Sequence, residues 1–219
     1  MARLTGQSVV ELCIYCGQEA DTRDHVPPKL LFPKPRTKMV TVPACLQCNK
    51  SYEKDDVLFA VASCLDAYIE HPQAMHVWES SLRPHILKRP RFRSMLASNI
   101  MPGRVVTPTG VYLPDRVAVR FSKERLTRVV GRIVRGLLWE HYKQITDPGI
   151  EIEVYRNPAL DPDLAEIVNL VPNHSWIGGD IFRYRYGLAE NGQDTSFWAM
   201  QFYANTEYLA VVMGSSFKE

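Results

Sequence analysis

No apolar run in this 219-residue chain approaches the roughly 20 residues that cross a bilayer. The opening stretch, Met1-Ala2-Arg3-Leu4-Thr5-Gly6-Gln7, lacks the apolar core of a secretory leader, so a soluble, cytoplasmic chain is expected. Glycine is scarce, 12 residues in all, and none of it builds a phosphate-cradling loop; Gly178-Gly179-Asp180 precedes a strand-like run and reads as a turn. No Ser or Cys occupies a nucleophile-elbow pattern, which argues against the usual acyl-transfer hydrolases. Internal repeats and low-complexity tracts are absent, which excludes solenoids and disordered arrays. Only five cysteines occur, and in a reducing compartment they do not read as a disulfide framework.

Four of the five fall into two Cys-x-x-Cys pairs, Cys13/Cys16 and Cys45/Cys48, with 28 residues between them. Two such pairs supply the four thiolates of a tetrahedral Zn²⁺ site, each pair folding as a tight knuckle around the ion. The intervening segment exceeds a minimal zinc ribbon, so the metal closes a loop with content of its own. Asp24-His25 lies inside that loop, and Asn49 directly follows the last cysteine. The fifth, Cys64, sits in the apolar run Leu58–Leu65 and reads as a small core residue on a helix.

Residue chemistry gives the Asp-His-Asn set a use. A neutral imidazole accepts a proton near pH 7, so His25 suits a general base. Asp24 and Asn49 offer hard oxygen ligands and leave most of a Mg²⁺ shell open to water and phosphate. Adjacent residues on a regular strand point to opposite faces, so a shared site requires an irregular strand end, for which Val26-Pro27-Pro28 is suited. The alternative is a solvated Asp-His turn, with Asn49 as N-cap of a helix beginning near Lys50.

Three strings together, Cys13-Ile14-Tyr15-Cys16-Gly17, Thr22-Arg23-Asp24-His25-Val26-Pro27-Pro28 and Val42-Pro43-Ala44-Cys45-Leu46-Gln47-Cys48-Asn49-Lys50, resemble the HNH endonucleases. The likeness is to their zinc-stapled ββα-metal branch and covers about the first quarter of the chain. It implies that His25 is the general base and that Asp24 and Asn49 hold a catalytic Mg²⁺ or Mn²⁺. The family usually carries a central Asn before the second knuckle. Residues 26–44 contain none, and Thr37 and Thr41 are the nearest polar side chains.

Charge is strongly segregated. Residues 1–50 carry net +3, 51–82 net −5, 83–145 net +11 and 146–219 net −7. The basic block reads as a footprint for a polyanion. Its first part, with Arg83, Lys88, Arg89, Arg91 and Arg93 interleaved with Pro84, Pro90 and Phe92, is expected to be extended and to track phosphates. Its second part is a helix from about Lys123 to Tyr142. Leu126, Val129, Val130, Ile133, Val134, Leu137 and Leu138 form its buried face. Arg125, Arg128, Arg132 and Arg135 make an adjacent stripe that either contacts nucleic acid or pairs with the acidic C-terminal third. Glu53, Asp55 and Asp56 read as first-turn helix acids, with a second metal ion as the alternative.

The expected architecture is α+β in three parts: a zinc-stabilised ββα-metal HNH module (1–55), a helical and basic connector (56–103) and an α+β domain (104–219). Pro72 should break the helical pattern of 55–82. Strands are read at Val105–Thr107, Val111–Leu113, Arg116–Phe121, Ile150–Tyr155, Ile181–Leu188, Thr195–Ala204 and Tyr208–Met213, with a turn at Glu190–Asp194 and a short helix over Pro162–Leu170. The last three runs form a meander, and the antiparallel sheet packs on the long helix. Trp139, Tyr184, Tyr186, Trp198, Phe202 and Tyr203 are expected mostly as core or sheet-face residues. His174 reads as part of a surface turn.

The function expected from the sequence is a metal-dependent HNH endonuclease acting on DNA, with structural Zn²⁺ and catalytic Mg²⁺ or Mn²⁺. The C-terminal domain would select substrate or a protein partner. Two alternatives stay open: a catalytically silent, zinc-stabilised nucleic-acid-binding or adaptor protein, and a nuclease acting on RNA, whose phosphates the basic block would read equally well.

Overall fold

A computed structural model describes residues 10–36, 39–106, 112–143, 145–156, 168, 171, 173–188 and 195–213. A two-stranded antiparallel hairpin, β1 (Thr22–Val26) with β2 (Val40–Ala44), opens the chain and leads directly into α1 (Leu46–Ser51). The order is β-β-α, as the first quarter of the sequence leads one to expect. Tyr52 separates α1 from α2 (Glu53–Ala67). Residues Val57 to Cys64 of α2 are buried without interruption. A helix apolar all round must be central rather than superficial.

α3 (Pro72–Val77) starts at the proline that ends the α2 pattern, and a π-helical turn (Trp78–Leu82) leads to α4 (Arg83–Leu87) and α5 (Pro90–Ser98). The Arg83–Arg93 stretch is therefore helical, not extended. Pro84 and Pro90 fall in the first turns of their helices. There the missing N–H is an orphan in any case, and the fixed φ suits the helix.

A second hairpin, β3 (Ile100–Val106) with β4 (Tyr112–Val119), stands apart from the main sheet. The sequence divided β4 at Pro114-Asp115, but the strand continues through them. A register shift between Gly103 and Val105 on the partner strand absorbs the interruption. Thr107 and Val111 lie outside the described residues.

α6 (Lys123–Tyr142) begins where the Ser122 hydroxyl accepts the Arg125 N–H at 3.3 Å, a standard N-cap. Its seven expected apolar residues are all buried, each contributing about 1.5–3 kcal/mol relative to exposure. The sheet on which it packs is antiparallel: β5 (Glu151–Arg156), β6 (Asn173–Ile177), β7 (Phe182–Leu188), β8 (Ser196–Phe202) and β9 (Thr206–Met213), in the order β5-β9-β8-β7-β6. Along β8 the buried residues Ser196, Trp198, Met200 and Phe202 alternate with half-exposed Phe197, Ala199 and Gln201, the period of a one-sided sheet. β6 was not foreseen, and His174 stands on this edge strand rather than in a turn. The Glu190–Asp194 turn and, but for Val168, the Pro162–Leu170 helix fall outside the described residues.

One cluster of buried side chains runs through all three segments, from Cys13 to Val212. Phe59 of α2 meets Phe202 and Tyr208 of the sheet, with ring centroids 5.1 and 5.7 Å apart. The Tyr203 hydroxyl donates to the Leu31 carbonyl and accepts from Cys64 Sγ at 3.3 Å, which confirms Cys64 as a core residue. Among the described residues no helix is long and apolar enough to cross a membrane.

Candidate metal centre and active site

The first knuckle turns on Gly17, whose φ of +75° is unstrained only for glycine. Its N–H donates to the Cys13 carbonyl (2.8 Å), and the Cys13 N–H donates to Gln18 (2.6 Å). The Ile14 N–H, bonded to the Pro43 carbonyl at 3.2 Å, docks this knuckle on β2. The second knuckle is a helix start. Cys45 directly follows β2, N-caps α1, and accepts the Cys48 N–H on its sulfur at 3.4 Å.

All four sulfurs lie within 4.8 Å of one another, and Cys16 Sγ is 3.7 Å from Cys45 Sγ. A tetrahedron of Zn–S bonds of about 2.3 Å places its sulfurs about 3.8 Å apart, whereas a disulfide needs about 2.05 Å. The spacing fits a metal and not a disulfide. Backbone donation from Cys48 lowers the Cys45 thiol, while burial and the neighbouring sulfurs push Cys48 far above the ordinary range. The four can be thiolates together only around a cation, and a structural metal such as zinc meets that need.

β1 is regular through Val26, pairing residue by residue with β2, so no irregular end brings Asp24 and His25 to one side. The ladder does stop at the prolines, with Val26 the last paired residue, but Asp24 and His25 both lie within its regular part. Thr22, Asp24 and Val26 share the face toward α6, and Arg23 and His25 share the other. Asn49 reaches the Thr22/Asp24 side, its Nδ2 donating to Thr22 Oγ1 and to the Arg23 carbonyl, each at 3.3 Å. Cys45, not Asn49, caps α1. The structure thus sets Asp24 and His25 on opposite faces, and Asn49 is bonded to Thr22 and Arg23 while Asp24 is bonded to Tyr15 and Arg132.

Asp24 is only 4% exposed and is bonded inward. The Tyr15 hydroxyl donates to its Oδ2 at 2.7 Å, and Arg132 Nη1 stands 3.5 Å from the same oxygen. His25 is half-buried, opposite Thr41 on β2. Burial lowers its pKa first, and the charges of Lys29 and Arg36 lower it further against a raising effect of Asp24. Its imidazole is therefore neutral at pH 7. Thr37, the other polar side chain weighed beside Thr41, lies outside the described residues.

The arginine stripe is largely committed inside the molecule. Asp55 accepts from Arg125 Nε (2.5 Å) and Arg128 Nη1 (2.9 Å), and Asp56 accepts from Arg132 Nη2 (2.5 Å). The partners are thus the first-turn acids of α2, not the C-terminal third, and only Arg135 turns toward residues 146–150, through Thr146 Oγ1 and three carbonyls. Arg132 has a fully buried side chain and rests on the Tyr52 ring at 4.5 Å. It has no surface to offer a phosphate and leaves the nucleic-acid contact set on that ground. Arg125 and Arg128 keep partial exposure. Arg83, paired with Glu79 at 2.9 Å, and Lys88, Arg89, Arg91 and Arg93 lie exposed on α4, α5 and their junction.

Asp55 and Asp56 are arginine partners; among the described residues the four cysteines are the only His, Cys, Asp or Glu cluster able to hold a metal. Tyr15 and Tyr52, which complete the Asp24–Arg132 network, escaped notice in the sequence, because neither carries a spacing signal. No family model matches the chain, and comparison with curated proteins and with solved structures gives no match. The molecule is thus defined by its own geometry, as an α+β chain with a four-cysteine metal site closing a ββα unit.

Proposed function

We propose that this protein is a phosphodiester hydrolase of the HNH type, acting on DNA. The observation that carries the reading is the placement of His25, half-buried on the hairpin of a ββα unit closed by four cysteines, where burial and the charges of Lys29 and Arg36 hold its pKa down. Its ring nitrogen takes the proton of the attacking water, and the two cations favour a phosphate beside it. The resemblance would place a Mg²⁺ or Mn²⁺ ion on Asp24 and Asn49, but Asp24 is buried against Tyr15 and Arg132 on the hairpin face opposite His25, so these side chains as placed do not fit a cation beside the base. Exposed Lys88, Arg89, Arg91 and Arg93, with Arg83, Arg125 and Arg128, would hold the strand through its backbone.

The inward bonding of Asp24 to Tyr15 and Arg132 favours a second reading, a zinc-closed nucleic-acid-binding scaffold without hydrolysis. Nicking of supercoiled plasmid in Mg²⁺ or Mn²⁺, with wild type compared with His25→Ala, separates the two. The nuclease reading expects nicking that disappears in a folded, zinc-loaded His25→Ala. Binding without cleavage of plasmid, branched DNA or RNA would establish the scaffold reading.

A further inference from the structure

Trp139 near the end of α6 is partly buried against the core, and two cations lie over its ring. Lys143 Nζ is 4.1 Å from the ring centroid and the Arg23 guanidinium carbon is 5.8 Å from it. Both lie within the reach of a cation–π contact. Arg23 precedes His25 by two residues on the same face of β1. Its Nη2 donates to the carbonyl of Thr41, the residue that pairs with His25 across the hairpin. Arg23 thus links the strand that carries His25 to the end of α6, where Trp139 and Lys143 sit.

Lys143 is unusual in a second respect. It ends α6 in the left-handed region, at φ 55° and ψ 24°, where glycine is the ordinary choice. A lysine here is strained, and such strain is retained where a side chain is needed in place. Its ammonium lies over the ring of Trp139, four residues earlier in the chain. Each cation also has a carboxylate partner, Glu140 for Lys143 (3.0 Å) and Glu11 for Arg23 (2.9 Å). These are exposed pairs of small net worth, which a phosphate can displace.

We infer that Arg23, Trp139 and Lys143 form a phosphate-binding subsite that positions a nucleic-acid strand across the His25 face. The inference deepens the nuclease reading and rests on it for the identity of the polymer. Trp139 orients the two cations, and the cations contact the backbone next to the phosphate that reaches His25. The subsite reads phosphate alone and gives no base preference by itself.

The test is binding of a fluorescein-labelled 20-base-pair DNA duplex, and of a 20-nucleotide RNA strand, by anisotropy in EDTA across a salt series. Lys143→Gly suits the left-handed backbone and should fold at least as well as wild type. It should flatten the slope of log Kd against log salt by about 0.9 for the duplex or about 0.7 for the single strand. Lys143→Arg should restore the slope. Trp139→Leu should weaken binding about 2- to 5-fold, the scale of an exposed cation–π contact. A Lys143→Gly protein with wild-type affinity and slope on both polymers would overturn the subsite, whatever the plasmid assay shows. Wild type that binds neither polymer would remove the nucleic-acid reading as well.

Discussion

Replacing Arg132 with Met tests the network that joins the ββα unit to α6. The guanidinium is wholly buried and neutralises two carboxylates, Asp56 at 2.5 Å and Asp24 at 3.5 Å. Among the described residues its Nε and Nη1 find no hydrogen-bond partner, so its value lies in charge compensation. Removing one partner of a buried pair costs about 3–5 kcal/mol. Protonation sets a ceiling on that loss. A carboxyl with an unfolded pKa of 3.8 can be neutralised at pH 7.0 for about 4.4 kcal/mol, and at pH 5.5 for about 2.3 kcal/mol. Arg132→Met should therefore lose about 3–4 kcal/mol at pH 7.0 and distinctly less at pH 5.5, by urea denaturation in saturating zinc. Adding Asp24→Asn and Asp56→Asn should recover most of the loss, since the charges vanish together. A loss below about 1 kcal/mol at pH 7.0, or a triple variant no more stable than the single one, would refute the reasoning.

Burial raises Asp56 to about 6 even beside Arg132. A folded pKa above the unfolded one means that the native state binds the extra proton. The Asp56 contribution to stability should therefore fall by about 0.8 kcal/mol as pH rises from 5.5 to 7.5, read as the change over that range in the stability difference between wild type and Asp56→Asn, which cancels the opposite effect of the histidines that burial lowers. Gly136 lets α6 approach β1: a Cβ there would sit 2.5 Å from Cγ2 of buried Val26. Gly136→Ala should lower the melting temperature despite its better helix propensity, with a clash of about 1–3 kcal/mol against a gain of about 1, and Val26→Ala should relieve the clash. Elemental analysis should find one zinc per chain. Its removal, or Cys48→Ser, should erase hydrogen-exchange protection over residues 22–26 and 40–51, because ligation free energy is folding free energy in such units.

What was legible in the sequence was local. The two knuckles could be read because their ligands are three residues apart, and α6 because seven apolar residues repeat at helical steps. The strands of the meander followed from alternation and turn residues. Partner choice was not legible. Asp55 and Arg125 are 70 residues apart, and nothing in the arginine stripe says whether it faces solvent or the first turn of α2. The basic stretch misled because proline breaks a helix interior yet starts a helix well, and Pro84 and Pro90 both stand at starts. β6 was hidden because Asn173-His174-Ser175-Trp176-Ile177 is short and mixed, and its partner strand determines its conformation.

His25, as proposed, takes a proton from water in phosphodiester hydrolysis. The most direct measurement is chemical rescue: plasmid cleavage by zinc-loaded, DNA-binding His25→Gly, with added imidazole from zero to tens of millimolar. We expect a variant that is inert alone and regains cleavage with rising imidazole, most effectively where imidazole is neutral. Wild-type cleavage by His25→Gly, or an inert variant that imidazole never restores, would contradict it.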